Sequence, residues 1–236
     1  MATTLRSSGT NNATTGTAIS ISAPAGTTAG DIVIISIHVN TNTTIVDNNG
    51  ATPFAESIND YQPNISSGHT ISIFSRRIVG GDPATFNFTS GTSGRWSIVA
   101  STFQNPHATD IFDVAPTTTN AAAVNDTASA DITAPAINTT TNNAIHFVCA
   151  YWDTANLGSI TEPSGYANTG EVGSQPQGNS YKVIVSAGTT GAQLYTSTEL
   201  NPRAALSFAI KDEGAGGGGG ATLTYIPQRM RSGLGF

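Results

Sequence analysis

The sequence is poor in charged residues and in cysteine, and these shortages exclude several classes of protein. Charged residues make up 10% of the 236 residues, whereas a typical soluble chain has about a quarter. Disordered chains typically carry a high net charge, so the shortage argues against a largely disordered protein. The single cysteine, Cys149, cannot form an internal disulfide. We therefore expect folding in a reducing cytosol, or in a compartment that the chain reaches without Sec export.

Basic residues and long apolar runs are also scarce. Lysine occurs only as Lys182 and Lys211, and the formal net charge is −6. Nucleic-acid binding normally depends on a cluster of Lys and Arg, so we expect no nucleic-acid partner. No apolar run approaches the ~20 residues that cross a bilayer, and the first 16 residues lack the apolar core of a secretory signal. We expect no membrane partner.

Threonine, serine, asparagine and glycine take the place of the missing charges. Thr suits pleated strands, and Asn and Gly suit tight turns. Apolar residues alternate or run continuously over short segments, and no long stretch has helical spacing. The sequence therefore predicts an all-β fold, an antiparallel β-sandwich or jelly roll. The predicted strands are residues 17–22, 31–39, 70–79, 84–89, 95–103, 129–136, 144–152, 181–186, 193–196 and 203–211.

The strand pattern repeats along the chain. Residues 18–25 (AISISAPA) resemble residues 129–136 (SADITAPA) at an offset of 111 residues. Arg95 and Arg203, which open the last strand of each set, are 108 residues apart. The similar offsets predict an internal duplication of about five strands, although strands rich in Thr and Ala also resemble one another through composition alone. Two such halves can form one sandwich or two adjoining ones.

The two ends differ from the β halves. The predicted organisation is an N-terminal arm (1–16), a first β half (17–106), a connection (107–126), a second β half (127–213), and a Gly-rich linker with a docking arm (214–236). Apolar and basic residues after a flexible glycine spacer favour an arm that docks on a neighbouring subunit. The alternatives are a disordered tail and a last strand that returns to its own sheet. The candidate docking residues are Leu223, Tyr225, Ile226, Arg229, Met230, Arg231, Leu234 and Phe236.

No group of residues in the sequence indicates catalysis or metal binding. The four histidines lack zinc-ligand spacing, and no nucleophile elbow or phosphate-binding loop is present. His38 and His146 lie in predicted strands, where a hydrogen-bonded structural role is favoured. Residues 47–50 (DNNG) have oxygen ligands at the density of a calcium site but lack a second carboxylate, so a plain turn is favoured. We expect no enzymatic activity, no cofactor and no metal.

Aromatic residues offer a candidate binding site. Trp96 shares a predicted strand face with Ile98, which favours the core. Trp152 ends a predicted strand beside Asp153 and is the better candidate for a surface aromatic. Because an exposed aromatic ring has an apolar face and a polar tip, Trp152 and Tyr166 are candidate contacts for a glycan.

Several turn and strand motifs occur in a characteristic order. Residues 29–31 (AGD) precede an aliphatic strand, residues 81–85 (GDPAT) precede an aromatic strand, and residues 104–106 (QNP) end the first half. Residues 163–166 (PSGY) form a loop motif in the second half, which is degraded to residues 52–54 (TPF) in the first. In these motifs the chain resembles a β-sandwich module of tailed-phage virion proteins and related bacterial surface proteins.

The resemblance covers about residues 18–212 and implies a function without implying a catalytic residue. It implies a virion structural protein that is synthesised in the host cytoplasm and lies at the virion surface. We expect a capsid decoration or cement protein, a homo-oligomer whose arms bind the major capsid or tail protein. The alternative is a tail- or fibre-associated carbohydrate-binding module that attaches to a host glycan.

Overall fold

The computed structural model describes residues 2–50, 53–63, 68–124, 130–154, 159–173, 175–198 and 200–215. The chain is nearly all β, with 60% of residues in strands and 3% in helices. The predicted all-β class is confirmed. No helix within the described ranges is long and apolar enough to cross a membrane.

The strands follow the apolar alternation of the sequence and add several short segments to it. In the first half they are β1 (Thr4–Ser22), β2 (Ile32–Val39), β3 (Ile45–Asp47), β4 (Ala55–Tyr61), β5 (Thr70–Arg77) and β6 (Thr85–Gln104). In the connection and second half they are β7 (Phe112–Val114), β8 (Ala121–Val124), β9 (Ile132–Ala134), β10 (Asn138–Thr139), β11 (Ala144–Trp152), β12 (Ile160–Thr161), β13 (Ala167–Val172), β14 (Gln177–Ile184), β15 (Gly188–Thr189), β16 (Gln193–Ser197) and β17 (Arg203–Ile210). Short 3₁₀ turns cover Thr118–Asn120 and Glu213–Ala215.

Two six-stranded antiparallel sheets form the centre of the fold. The first has the order β1-β6-β2-β5-β4, with β3 also paired to β6. The second has the order β13-β14-β11-β17-β7, with β8 also paired to β17. Strands β12, β16 and β9 form a three-stranded sheet, and β10 pairs with β15.

The apolar strands β2 and β11 are buried on both faces, as the continuous apolar run at the start of β2 predicts. Every residue of β2 and β11 is buried. Ile32 and Ile34 of β2 face the second sheet, whereas Val33 and Ile35 face the outer layer of the first half. The alternation follows from the two-residue period of a strand, which sends successive side chains to opposite faces.

The two central sheets pack face to face through a shared core. The ring of Phe147 lies 5.9 Å from that of Phe103 in the first sheet and 5.1 Å from that of Phe208 in its own sheet, between centroids. β13 also packs over β1 and β6 at Gly170, where a Cβ atom would lie 2.8 Å from methyl groups of Thr10 and Val99. Only glycine fits at that approach.

Each half also has an outer layer of its own. In the first half, Ile19 and Ile21 of β1 and Phe86 and Phe88 of β6 cover the outer face of the first sheet. In the second half, β9 and β16 cover the outer face of β11 and β17. The halves are therefore two adjoining sandwiches that share a central core.

The strand order of the two central sheets corresponds. β4-β5-β2-β6 in the first sheet matches β13-β14-β11-β17 in the second. The correspondence agrees with the similar sequence offsets, and the duplication itself stays a prediction.

The structure corrects two of the predicted segment boundaries. The polar residues 4–13, predicted as part of an arm, form the edge of the first sheet, where β1 pairs with β6. Their side chains lack apolar periodicity because an edge strand is only partly covered. The predicted connection 107–126 also contributes β7 and β8, which pair with β17.

Candidate functional site

A chain of three polar side chains connects the two halves. His38 lies in β2, His69 directly before β5, and Asp153 directly after β11. Nε2 of His38 lies 3.0 Å from Nδ1 of His69, and Nε2 of His69 lies 3.1 Å from a carboxylate oxygen of Asp153. Neither imidazole has exposed surface, whereas 13% of the Asp153 side chain is exposed. The chain therefore leads from a partly exposed carboxylate into the interior.

Nε2 of His69 lies within ion-pair distance of the Asp153 carboxylate but makes no hydrogen bond of acceptable geometry within the described residues. The hydrogen bond between the two imidazoles joins Nε2 of His38 to Nδ1 of His69, and either nitrogen can be the donor because the roles depend on the tautomer. Nδ1 of His38 also has no hydrogen-bond partner within the described residues.

His38 is held in its neutral form. Burial lowers the pKa of His38 well below its usual value, and the charges of His69 and Arg95 lower it further. The charge of Asp153 raises that pKa and only partly opposes these effects. A buried neutral imidazole in a hydrogen-bonded chain is the structural role that the sequence favours for His38.

A second polar cluster lies beside this chain, around Gln177 of β14. The amide nitrogen of Gln177 donates to the hydroxyl of Ser36 at 2.5 Å, and its carbonyl oxygen accepts from Ser97 at 2.9 Å. The Ser36 hydroxyl lies 2.6 Å from that of Tyr151. Gln177, Ser36, Ser97 and Tyr151 have no exposed surface, so the cluster fixes the register of one sheet on the other.

Replacing Gln177 with methionine is expected to lower the free energy of unfolding by about 2–3 kcal/mol, because two buried serine hydroxyls lose a partner while the volume changes little. Urea denaturation measures the loss. The matched control is Gln193→Met, since Gln193 lies in β16 and its side-chain amide donates to the nearby backbone carbonyls of Thr190 and Gly191. Equal effects of the two substitutions would contradict a register role for Gln177.

The lone cysteine is chemically protected by this packing. Cys149 is fully buried in the shared core. Burial raises the pKa of its thiol to about 12. Because the thiolate is the reactive form, Cys149 is inert in the folded protein.

A third polar group lies on the same sheet, nearer to the surface. Nδ1 of His146 lies 2.6 Å from the hydroxyl of Tyr166. Burial lowers the pKa of His146 to about 4, with a smaller effect from the charge of Lys182. Nε2 of His146 has no hydrogen-bond partner among the residues described. His146, like His38, is a structural histidine that burial keeps in its neutral form.

The structure corrects the surface placement of Trp152. Its side chain is 1% exposed, and its indole nitrogen donates to the carbonyl of Ala130 at 3.0 Å. Its ring packs edge to face against Tyr195, with centroids 6.2 Å apart. Trp152 is buried because β9 and β16 cover the end of β11, so it cannot stack on a glycan.

Tyr166 is the remaining aromatic candidate. It is partly exposed, but Nζ of Lys182 lies 5.6 Å from the centroid of its ring. Its hydroxyl already pairs with His146. A glycan contact at Tyr166 would have to displace Lys182 or use the ring edge, and it stays a prediction.

The remaining sequence candidates fall into two groups. Asp47 accepts from the backbone amide of Asn49 at 2.8 Å and also from the amide of Phe54, which agrees with a plain turn. Within the described residues, no group of three or more His, Cys, Asp or Glu could hold a metal ion. All eight candidate docking residues lie outside the described residues.

A pair of carboxylates lies on the outer surface of the second half. The Asn168 amide donates to Glu162 and, at 3.0 Å, to Glu171. Burial raises the pKa of Glu171, and the neighbouring Glu162 raises it further. No local pattern indicates this pair, because the two residues meet only when β13 folds back beside the loop before it.

Clefts open along the first half. One, of about 430 Å³, lies between the loop 23–29 and the loop 78–84. Another, of about 290 Å³, lies between residues 8–11 and residues 20–25. Both are lined mainly by small and polar residues.

Sequence reasoning missed how the polar residues meet. His69 and Asp153 each lie just outside a strand, on different halves of the chain. Their contact depends on the way the two sheets stack, which no local pattern specifies.

No family model, curated protein or solved structure matches this chain.

Proposed function

We propose that this protein is a phage virion structural protein, a capsid decoration or cement protein without catalytic activity. It binds the particle surface and neighbouring subunits through its C-terminal arm, as a homo-oligomer. It is synthesised in the host cytoplasm and lies at the virion surface, with the major capsid or tail protein as partner.

The observation that supports this proposal most is the position of the last described residues of the second half. The Glu213 amide donates to the Thr3 hydroxyl at 3.3 Å, and Asp212 accepts from the Thr3 amide. The end of the second half is thus tied to the start of β1, at the edge of the first sheet. Residues 221–236 follow with apolar and basic side chains and no acid. A rigid double sandwich with a tethered adhesive segment is suited to fastening subunits together.

The copy number and position of the protein in purified particles test this proposal. Quantitative gels and electron microscopy are expected to show hundreds of copies over the head. A few copies at the tail would favour the tail-associated alternative. Absence from particles would overturn a virion role.

Deletion of residues 214–236 is expected to leave the double sandwich folded and to abolish incorporation into particles. All strands described lie before residue 214, and the contact between Thr3 and Glu213 is retained. The readouts are circular dichroism and the amount of protein that sediments with particles. The control replaces residues 221–236 with a Gly-Ser segment of equal length, which should also fail to incorporate. Normal incorporation of the truncated chain would contradict an arm-mediated attachment.

A carbohydrate-binding module at the tail remains the alternative, and the 430 Å³ cleft is the observation that favours it. The cleft is lined by Gly26, Thr27, Thr28 and Asp82 among others. Because the carboxylate of Asp82 is already paired with Arg76, the cleft combines neutral polar groups with small apolar side chains, a mixture that can contact both the hydroxyls and the apolar face of a sugar. Glycan-array binding that Thr28→Tyr abolishes would support it.

A further inference from the structure

The first sheet has an unpaired edge, formed by residues 8–12 of β1. Within the described residues β1 pairs only with β6 and is the terminal strand of its sheet. The hydrogen bonds between β6 and β2 show which backbone amides of β1 point away from the sheet. The Asn40 amide donates to the carbonyl of Arg95 at 3.1 Å, so Ser97, two residues on, also directs its backbone groups towards β2.

Because Ser97 faces β2, its partner in β1, Asn12, directs its backbone groups outward. The backbone amide of Asn12 accordingly donates to the side-chain oxygen of Asn11 at 2.8 Å. The same alternation turns the N–H and C=O groups of Ser8 and Thr10 outward. These are the groups that an added strand requires.

A groove for side chains lies directly beside this edge. It is the 290 Å³ cleft between residues 8–11 of β1 and residues 20–25. An added strand would place alternate side chains in the groove, as in other complexes formed by strand addition.

The segment 221–226 of this chain has the sequence of such a strand. Its order is Ala-Thr-Leu-Thr-Tyr-Ile, in which Leu223 and Tyr225 alternate with threonines, and Pro227 follows. Thr, Tyr and Ile favour strands, and proline ends a ladder because it has no amide proton. The Gly-rich linker before it begins beside Thr3, next to the edge strand.

We propose that residues 221–226 of one copy pair with the outward edge of β1, residues 8–12, in a second copy. The chain's own segment would start beside Thr3 and run parallel to β1, and parallel pairing is the less stable arrangement. Fully extended, the five glycines 216–220 span up to about 17 Å, several times the ~4.8 Å between neighbouring strands, so the linker is long enough to carry the segment to an adjacent strand. Reciprocal exchange between two copies allows antiparallel pairing around a two-fold axis.

Ser8→Pro in the full-length chain tests the edge. It removes one outward amide, and proline is tolerated at such an edge position. The dissociation constant of the oligomer, from sedimentation equilibrium, is expected to rise about tenfold, while Ser8→Ala leaves it unchanged. Leu223→Pro and Thr224→Pro test the segment, since one of two adjacent amides must face β1. Unchanged association in all three proline variants would overturn the proposal.

Cysteine pairing identifies the copy that supplies the segment. Full-length Ser8→Cys and Thr224→Cys chains are mixed as separate preparations and oxidised, and Cys149 is buried and does not interfere. We expect a disulfide-linked pair of chains. The control mixes Thr224→Cys with Val185→Cys, which should not form the linked pair. Val185 lies in the second half, away from β1, and is 71% exposed. A disulfide only when both substitutions are in one chain would overturn exchange between copies.

This proposal rests on the docking-arm part of the proposed function, and the two can fail separately. Weakened self-association with normal particle incorporation would support the strand exchange and contradict attachment through the arm. Normal self-association with lost incorporation would support the arm as a particle contact and contradict the exchange.

Discussion

Replacing Phe147 with alanine is expected to lower the free energy of unfolding by about 3–5 kcal/mol, the largest effect of any single substitution considered. Phe147 is fully buried at the centre of the shared core, in contact with Phe103 and Phe208. The cost combines lost burial of the ring with a cavity that two stacked sheets cannot easily close. Phe147→Leu fills most of that cavity and should cost far less.

Because Phe147 contacts both sheets, its loss should destabilise both halves together. We expect urea denaturation to show one transition whether tryptophan fluorescence or thiol labelling is followed. Tryptophan fluorescence reports on both halves, through Trp96 in the first and Trp152 in the second. Cys149, which is buried against both sheets, becomes reactive only when the core opens. Two separate transitions in the natural chain would show that the sandwiches fold independently and would contradict a shared core.

Acidification from pH 7 to pH 4 is expected to remove about 3 kcal/mol of stability through His146 alone. Its pKa is about 4 in the folded protein, against 6.5 when unfolded. The unfolded chain therefore binds more protons between these values, so unfolding becomes easier as the pH falls. The contribution is fully present above pH 6.5. His38, whose pKa is also lowered by burial, acts in the same direction.

The measurement is the unfolding free energy as a function of pH, compared with that of His146→Gln. Glutamine can still pair with the Tyr166 hydroxyl but does not titrate. The variant should lose stability less steeply between pH 6.5 and pH 4 than the natural chain. Identical slopes would show that His146 does not contribute.

Local patterns in the sequence were sufficient for the central strands. The strand predicted at 144–152 coincides with β11, and the strand at 31–39 differs from β2 by one residue. The predicted strands at 84–89 and 95–103 are instead one strand, β6. The TSGTSG segment between them resembles a turn, but it lies where β6 passes from the outer layer to the central sheet and stays paired or extended throughout.

The polar sites depended on packing that no local pattern specifies. The polar Asp153 that follows Trp152 predicts a surface position for the tryptophan, and Asp153 is indeed partly exposed. The covering layer comes from β9 and β16, which are only three and five residues long and are about 20 and 40 residues away. Ser36 and His38 interrupt an apolar strand. Tyr151 and Gln177 of the second sheet supply the partners of Ser36, whereas His69, far along the chain in the first half, supplies that of His38.

The contact between Thr3 and Glu213 also bears on protein engineering. The first and last strands of the double sandwich end within hydrogen-bonding distance of each other. A host chain joined to residues 3 and 213 would enter and leave the double sandwich at one place. The double sandwich could therefore be inserted into a surface loop of an unrelated host protein, or its order permuted by a short join between residues 3 and 213, without separating any described strand from its neighbours.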